Sequence, residues 1–418
     1  MSKKITLLHY TAPPIVGGVE SVLGHHARQM AAAGHQVSVV AGRGANINSH
    51  TEFVHLPLAD SRHPAVMAAK AELDEGRIPA DFEQLVTTVA DLLQAAIAGM
   101  DVIIAHNVCS LHKNLALTAA LRRVCMAPAA PHLIAWHHDL AWTAPHYRSE
   151  LHEGWPWDLI RQEWPEVRPK QVVVSKLRRR ELAELMGISP DVIDVVPSGL
   201  DVAGFLKLEP QTVGLVHKLR LLEAAPLLLL PVRITRRKNI ELALRTLAAM
   251  GDIMPRATLI VTGPPGPHNP SNQNYFEELK RLRAELGLTP MTSGSGPVAH
   301  FLAEIVDTYL PAPVIGDLYR LADALFLTSR EEGFGIPALE AGLVGLPVFC
   351  TDIPSLREIT GDWATRFEAN AEPAAVAKLL STRLQNDHVF QLRRRVRQNY
   401  TWEQIYGNCI APLLEVER

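Results

Sequence analysis

The chain is 418 residues long, 47% apolar and 20% charged, and its 41 Lys+Arg against 44 Asp+Glu give a formal net charge of −3. That length exceeds one ordinary hydrophobic core and points to two domains of roughly 200 residues each. The charge balance argues against a protein built mainly to hold nucleic acid, which needs a basic excess.

In chain order, KITLLHY (4–10) is a short apolar run suited to a buried parallel strand, and TAPPIVGG (11–18) is a breaker-rich loop. VESVLGHHARQMAAAG (19–34) has helical apolar spacing that stops at Gly34, and HQVSVVAG (35–42) is the next strand. Strand, Gly-rich loop, helix and strand make the βαβ unit of a doubly wound sheet. Residues 59–100 read as helical with a break near Gly76 to Pro79, and strand-like runs follow in DVIIAHN (101–107), PHLIAWH (131–137), QVVVSK (171–176) and DVIDVVPSG (191–199). The periodicity then loosens to about residue 224, the expected domain connection.

A second βαβ series begins with the strand PLLLLPVRI (226–234) and the helix RKNIELALRTLAAM (237–250). RATLIVTG (256–263) is a strand, NYFEELKRLRAELG (274–287) a helix, and MTSGSGP (291–297) a flexible turn. GDLYRLADALFLTS (316–329) gives a helix turn and a strand, SREEGFGIPALEAG (329–342) a loop and helix, and LPVFCTD (346–352) a last strand. The expectation is an α/β protein of two Rossmann-like doubly wound domains facing a central cleft: 1–205, with the segment 400–418 packed back on it, and 206–399. Four dispersed cysteines form no CxxC pair, so neither a zinc site nor a disulfide framework is expected. The apolar run near the start is too short for a signal peptide and no run approaches the ~18 residues of a membrane span, so a soluble cytoplasmic protein is expected.

Ligands of open parallel sheets bind at the carboxyl ends of strands. Gly17 and Gly18 follow the first strand and let backbone approach a bulky anion, although a plain tight turn explains the pair equally well. Arg233 and Lys238 flank the end of the first strand of the second domain and would neutralise a diphosphate there; Arg236 and Arg237 between them read as solvated. Gly333, Phe334, Gly335 and Pro337 form a turn entering a helix, whose amides suit phosphate oxygens. Glu332 and Glu340 lie on either side and would accept hydrogen bonds from hydroxyls, although Glu340 also suits a helix's first turn. A diphosphate carrying a hydroxylated ring at each end satisfies all of these: a nucleotide sugar.

The stretch resembles the signature of the retaining GT-B glycosyltransferases of family 4 type, in which two glutamates separated by seven residues bracket a Gly-Phe-Gly turn; Glu332 and Glu340 have that spacing and Glu331 does not. PPIVGGVE, AGHQVSVV, VVPSGLD, VRITRRKN, IVTGPPG and YTWEQI resemble further family segments in the same order, so the likeness covers nearly the whole chain. It implies that Gly17 and Gly18 approach the donor diphosphate and that Arg233 and Lys238 hold it as it leaves. It also implies that Glu332 binds donor-sugar hydroxyls with the Gly333–Gly335 backbone nearby, that Glu340 binds the ribose, and that Gly263 in IVTGPPG belongs to the donor site. A histidine at a strand end of the first domain is implied as well; IAWHHDLAW offers His138, chosen for the following Asp, with His137 as the alternate and His106 as a weaker candidate. No metal or other cofactor is implied, the donor being of UDP-glucose or GDP-mannose type.

Two departures stand out. VAHFLAEIVDTYLPAPVIGDLYRLAD lacks the usual apolar-Gly strand ending, which leaves the nucleobase pocket open. Trp136, Trp142, Trp155, Trp157 and Trp164 crowd one segment, either as core anchors or as an acceptor surface. The reading is a retaining hexosyltransferase acting on a sugar, small-molecule or lipid acceptor. Its rivals are a GT-B nucleotide-sugar epimerase and a non-catalytic nucleotide-sugar binder. The arginine runs 178–180 and 393–395 are short and read as solvated helix faces rather than as a membrane-binding surface.

Overall fold

The computed structural model describes residues 2–266, 269–290, 296–306 and 309–415; most of the turn expected at 291–297 lies outside them. The chain divides into two compact units, Met1–Leu200 with Tyr400–Arg418, and Asp201–Asn399.

The first unit is built on seven strands: β1 (Lys4–Leu8), β2 (Gln36–Ala41), β3 (Thr51–His55), β4 (Val102–His106), β5 (His132–His137), β6 (Lys170–Val173) and β7 (Ile193–Val195). All pair in parallel, in the order β3-β2-β1-β4-β5-β6-β7. Strand order reverses at β1, which lies between β2 and β4 in registers such as Leu7↔Val39 and Leu7↔Ile104. The continuous apolar runs follow from burial on both faces. Successive side chains alternate, so Leu8, Ile103 and Leu133 pack under the helices Phe82–Ala96 and Leu115–Cys125, while Leu7, Ile104 and Ile134 pack under the helix Gly18–Ala32. β3 had no clear signal in the sequence because only Thr51 of its five residues is buried.

The segment beginning at Tyr400 returns to this unit. Trp402, Ile405, Ile410, Leu413 and Leu414 join the layer that holds Leu7 and Ile104. The Trp402 ring stacks on His25 at 4.9 Å, and Leu200 N donates to Tyr400 O at 2.7 Å.

The second unit carries β8 (Leu227–Leu230), β9 (Thr258–Val261), β10 (Val298–Phe301), β11 (Ala324–Leu327), β12 (Val348–Thr351) and β13 (Thr365–Phe367). These are also all parallel, in the order β10-β9-β8-β11-β12-β13, with the reversal at β8. β10 is the VAHF run that lacked the expected glycine ending, and β13 is a three-residue edge strand. Asp323, entering β11, accepts from Leu227 N at 2.8 Å and pairs with Arg397, both side chains being almost fully buried. This pair ties the two central strands to the helix His388–Asn399.

Two expectations change, and the choice left open for the tryptophans narrows. Residues 201–224 are not a loose connection: the helix Val202–Leu206 is capped by Asp201, which accepts from Gly204 N at 2.9 Å, and the start of the helix Pro210–Leu219 is held by Asp317, far away in sequence, which accepts from Glu209 N at 2.8 Å and from Thr212 Oγ1 at 2.6 Å. The run 393–395 is not simply a solvated face, since Arg393 donates to the Arg320 carbonyl at 2.6 Å. Among the tryptophans, Trp136, Trp157 and Trp164 are core, Trp142 lies under the Arg161 guanidinium at 4.5 Å, and Trp155 is 41% exposed. Cys109, Cys125 and Cys350 are buried free thiols. Among the described residues no helix is long and apolar enough to cross a membrane.

Trp402→Ala removes a side chain 3% exposed from the layer that fastens the returning segment. It is expected to destabilise the first unit by about 3–5 kcal/mol in urea unfolding; a loss under ~1 kcal/mol would mean that the segment is not part of that core.

Candidate active site

At the point in the second unit where strand order reverses, the loops leaving β8 and β11 are stitched together. Lys238 Nζ lies 2.5 Å from Glu332 Oε1, with side chains only 10% and 8% exposed. Ser329 Oγ donates to the same oxygen at 2.6 Å, and Arg237 reaches Oε2 at 3.5 Å. Thr328 Oγ1 donates to Lys238 O at 2.9 Å, and Arg330 N donates to Arg237 O at 2.8 Å. Burial lowers the Lys238 ammonium pKa, and the bond to Glu332 opposes that shift. Arg233 is exposed just beyond β8. Gly263, beyond β9, packs on the same loop: a Cβ there would stand 2.3 Å from Val232 O and 2.7 Å from Arg233 Cα.

Arg236 is largely exposed, as expected of a solvated side chain, and pairs with Glu278 at 2.8 Å. Arg237 is not simply solvated; its contact with Glu332 makes it part of the cluster.

The glycine turn enters the helix Ile336–Leu343 through Gly335 at φ +101°, a conformation that disfavours any side chain, and a Cβ there would also lie 2.6 Å from Leu356. Gly333 faces open space and Phe334 is 54% exposed. Glu340 is exposed one turn into the helix. The nearby Tyr319 hydroxyl donates to Pro337 O at 3.4 Å, and its pKa is raised by burial and then by the Glu340 carboxylate. The two glutamates thus sit in different settings: Glu332 is buried and ion-paired, Glu340 open and next to a phenol.

In the first unit the candidates also gather at strand ends. Gly17 caps the helix Gly18–Ala32 with an extended backbone, and a Cβ on it would run into the Glu20 carboxylate at 2.0 Å; Gly18 faces open space. Glu20 is held by Thr11 Oγ1 at 2.5 Å and lies 4.0 Å from His9 Nε2. The helix start therefore already carries a carboxylate of its own.

Beyond β4 and β5, His106 Nδ1 and His138 Nε2 are 3.1 Å apart, and Asn107 Oδ1 accepts from the backbone N–H of His138 and of Asp139. Asn107 holds this position at φ 58°. His9 Nδ1 bonds the His106 carbonyl at 2.7 Å, and the His26 ring stands 5.2 Å from that of His106. His137 points elsewhere, fully buried and bonded to Gln171 at 2.7 Å, so His138 is the less enclosed of the two.

Sequence reasoning did not single out Ser329, Thr328, Asn107, Glu20 or Tyr319. All but Glu20 and Tyr319 are small polar residues directly after a strand, and that position is the one signal that could have found them.

Two family models match the chain: Glycosyltransferase Family 4 over residues 16–203, and Glycosyl transferases group 1 over residues 216–401. The chain belongs to the glycosyltransferases of family 4 type, with the GT-B fold.

Similar curated proteins include D-inositol 3-phosphate glycosyltransferase of Thermomonospora curvata, 31% identical over 52% of this chain and 48% of its own length. Mannosylglucosylglycerate synthase of Petrotoga mobilis is 26% identical over 61% of this chain and 60% of its own length. The chain thus spans about half to three fifths of these two relatives. Glycogen synthase of Mycobacterium tuberculosis is 24% identical over 99% of this chain and 95% of its own. A solved glycosyltransferase from Rickettsia africae ESF-5 covers 99% of this chain and 100% of its own at 16% identity, with a TM-score of 0.37, and nothing here rests on it. In this family 4 chain the group 1 match contains the β8 and β11 loops, and the Family 4 match contains Gly17, Gly18, His106 and His138.

Burial holds four histidines of the first unit neutral, lowering His9 and His137 to about 4 and His26 and His138 to about 3 from an ordinary 6.5. The unfolded chain takes up these protons as pH falls through 6.5, whereas the folded chain does so only near 3 to 4. Stability is therefore fully present above about pH 6.5 and is lost progressively down to pH 4. The thermal midpoint is expected to fall steadily between pH 7 and pH 4.5; a flat profile would show that these rings are protonated in the fold.

Proposed function

We propose that this protein is a retaining, metal-independent hexosyltransferase that moves a sugar from a nucleoside diphosphate of UDP-glucose or GDP-mannose type to an acceptor hydroxyl. The observation that carries the reading is the buried Lys238–Glu332 pair at the β8/β11 reversal: a cation and a carboxylate held side by side where a parallel sheet receives its ligand. The curated relatives support it by name, two as a glycosyltransferase or glycogen synthase and one as a mannosylglucosylglycerate synthase; these names differ in acceptor and single out none.

In this reading Arg233 and Lys238 neutralise the diphosphate as the bond from the anomeric carbon to the phosphate oxygen breaks. Glu332 accepts hydrogen bonds from donor-sugar hydroxyls, the amides of Gly333, Phe334 and Gly335 face phosphate oxygens, and Glu340 binds the ribose. The acceptor hydroxyl attacks the anomeric carbon on the face the diphosphate leaves, and the departing phosphate oxygen takes its proton, so configuration is retained without a protein nucleophile. The chain's share is positioning and charge stabilisation. For the first unit the same reading gives the Gly17–Gly18 backbone an approach to the diphosphate, Gly18 being the open position, and gives His138 a hydrogen bond to the sugar. Gly263 contributes by keeping the Arg233 loop close to β9.

Glu332→Ala and Lys238→Ala are each expected to lower kcat/KM about 100-fold or more in a nucleotide-sugar turnover assay while circular dichroism stays unchanged. Because the two groups touch, the double variant is expected to lose little more than the worse single one. Wild-type rates in either single variant would place the site elsewhere.

Transfer is also expected to persist at full rate after exhaustive dialysis against EDTA. Loss that added Mg²⁺ or Mn²⁺ restores would overturn metal independence and leave the transferase assignment intact.

A further inference from the structure

We propose that His106 is a positioning residue that fixes the tautomer of His138, so that His138 carries its proton on Nδ1 and offers it as a hydrogen-bond donor. The facing nitrogens of the two imidazoles, Nδ1 of His106 and Nε2 of His138, are 3.1 Å apart. One of these atoms must hold a hydrogen and the other a lone pair.

The two arrangements differ in what they leave behind. If His138 donates from Nε2, a neutral His106 must keep its own hydrogen on Nε2. That atom is buried and, among the described residues, has no hydrogen-bond partner, and neither nitrogen of the nearby His26 ring has one. The result would be a dry, orphaned N–H. If His106 donates from Nδ1, its Nε2 keeps only a lone pair. Buried orphan N–H groups are the rarer of the two, because an acceptor left bare in apolar surroundings is better tolerated than a donor. His106 therefore donates, and a neutral His138 has its hydrogen on Nδ1.

The surroundings hold this arrangement in place. His9 Nδ1 must donate to the His106 carbonyl, at 2.7 Å, because a carbonyl only accepts. Asn107 Oδ1 fixes the backbone of His138 at 2.7 Å. The His106 and His138 rings lie nearly stacked, 5.4 Å apart and inclined by 29°. His106 is 0% exposed, and burial together with the neighbouring histidines keeps both rings uncharged near neutral pH. His138 then acts as a fixed neutral donor to an oxygen, and a base role for its Nδ1 is excluded.

The catalytic consequence rests on the proposed transferase reading; the tautomer does not. Long-range ¹H–¹⁵N spectra of full-length protein labelled with ¹⁵N-histidine at pH 7.5 read it directly, with His138→Gln providing the assignment. The expected result is a protonated-type shift at His138 Nδ1 and an unprotonated-type shift at Nε2; the opposite pattern overturns the proposal. In His106→Leu the His138 shifts are expected to move toward a tautomer mixture, with kcat down about tenfold and the donor KM little changed, as loss of one orienting hydrogen bond implies. His106→Asn, which keeps a side-chain N–H close to the place of Nδ1, is expected to restore both. Unchanged His138 shifts in His106→Leu would also overturn the proposal. If the wild-type shifts are as expected while no nucleotide sugar is turned over, the transferase reading fails and the tautomer assignment stands.

Discussion

The contact between Lys238 and Glu332 constrains more of the second unit than any other single pair at the site. Ninety-four residues separate the two in sequence, yet their charged atoms are 2.5 Å apart and nearly shielded from water. Either charge alone at that depth would cost several kcal/mol in lost hydration, so each is tolerable there because the other is present. Ser329 donates to the carboxylate oxygen that faces Lys238, Arg237 stands 3.5 Å from the other oxygen, which keeps accepting capacity, and Thr328 fixes the lysine's backbone. The ends of β8 and β11 are thereby locked in register at the place where the sheet reverses. The pair also explains how a carboxylate can sit beside a helix start suited to anions: its charge is already balanced by the chain.

The first unit solves its corresponding problem without charge. Its strand ends carry imidazoles from His9, His106 and His138 that burial keeps neutral, linked through one another and through the Asn107 amide. The charge that is present, Glu20, is tied down by Thr11 and fills the space that a side chain at Gly17 would need. The glycine pair is therefore asymmetric. Gly17 makes room for the chain's own carboxylate, and Gly18 is open.

Glycine works in three distinct ways at these sites. Gly335 supplies a backbone angle, Gly263 lets two backbones approach, and Gly333 answers to no steric demand within the chain. Gly335 and Gly263 are accounted for by the fold itself.

Much of this was legible along the chain. The apolar runs of β1, β4, β8 and β11 announced buried parallel strands, because a strand covered on both faces must be apolar at every position. Gly76, Gly335 and Pro337 marked real breaks, and the glutamate spacing identified the family. β3 and β13 were illegible because each buries a single residue and so imposes no pattern, β10 because its four residues, though mostly buried, are a short run broken by His300, and the helix Pro210–Leu219 because Asp317, a hundred residues away, anchors its start. What sequence alone determined is the inventory: which residues could carry charge, cap a helix or bend the backbone, and where strands end. What tertiary structure decided is pairing, namely that Lys238 meets Glu332, that Arg237 joins them, and that His138 rather than His137 turns toward His106. Pairing escapes the sequence because distance along the chain says nothing of distance in a sheet whose strand order reverses.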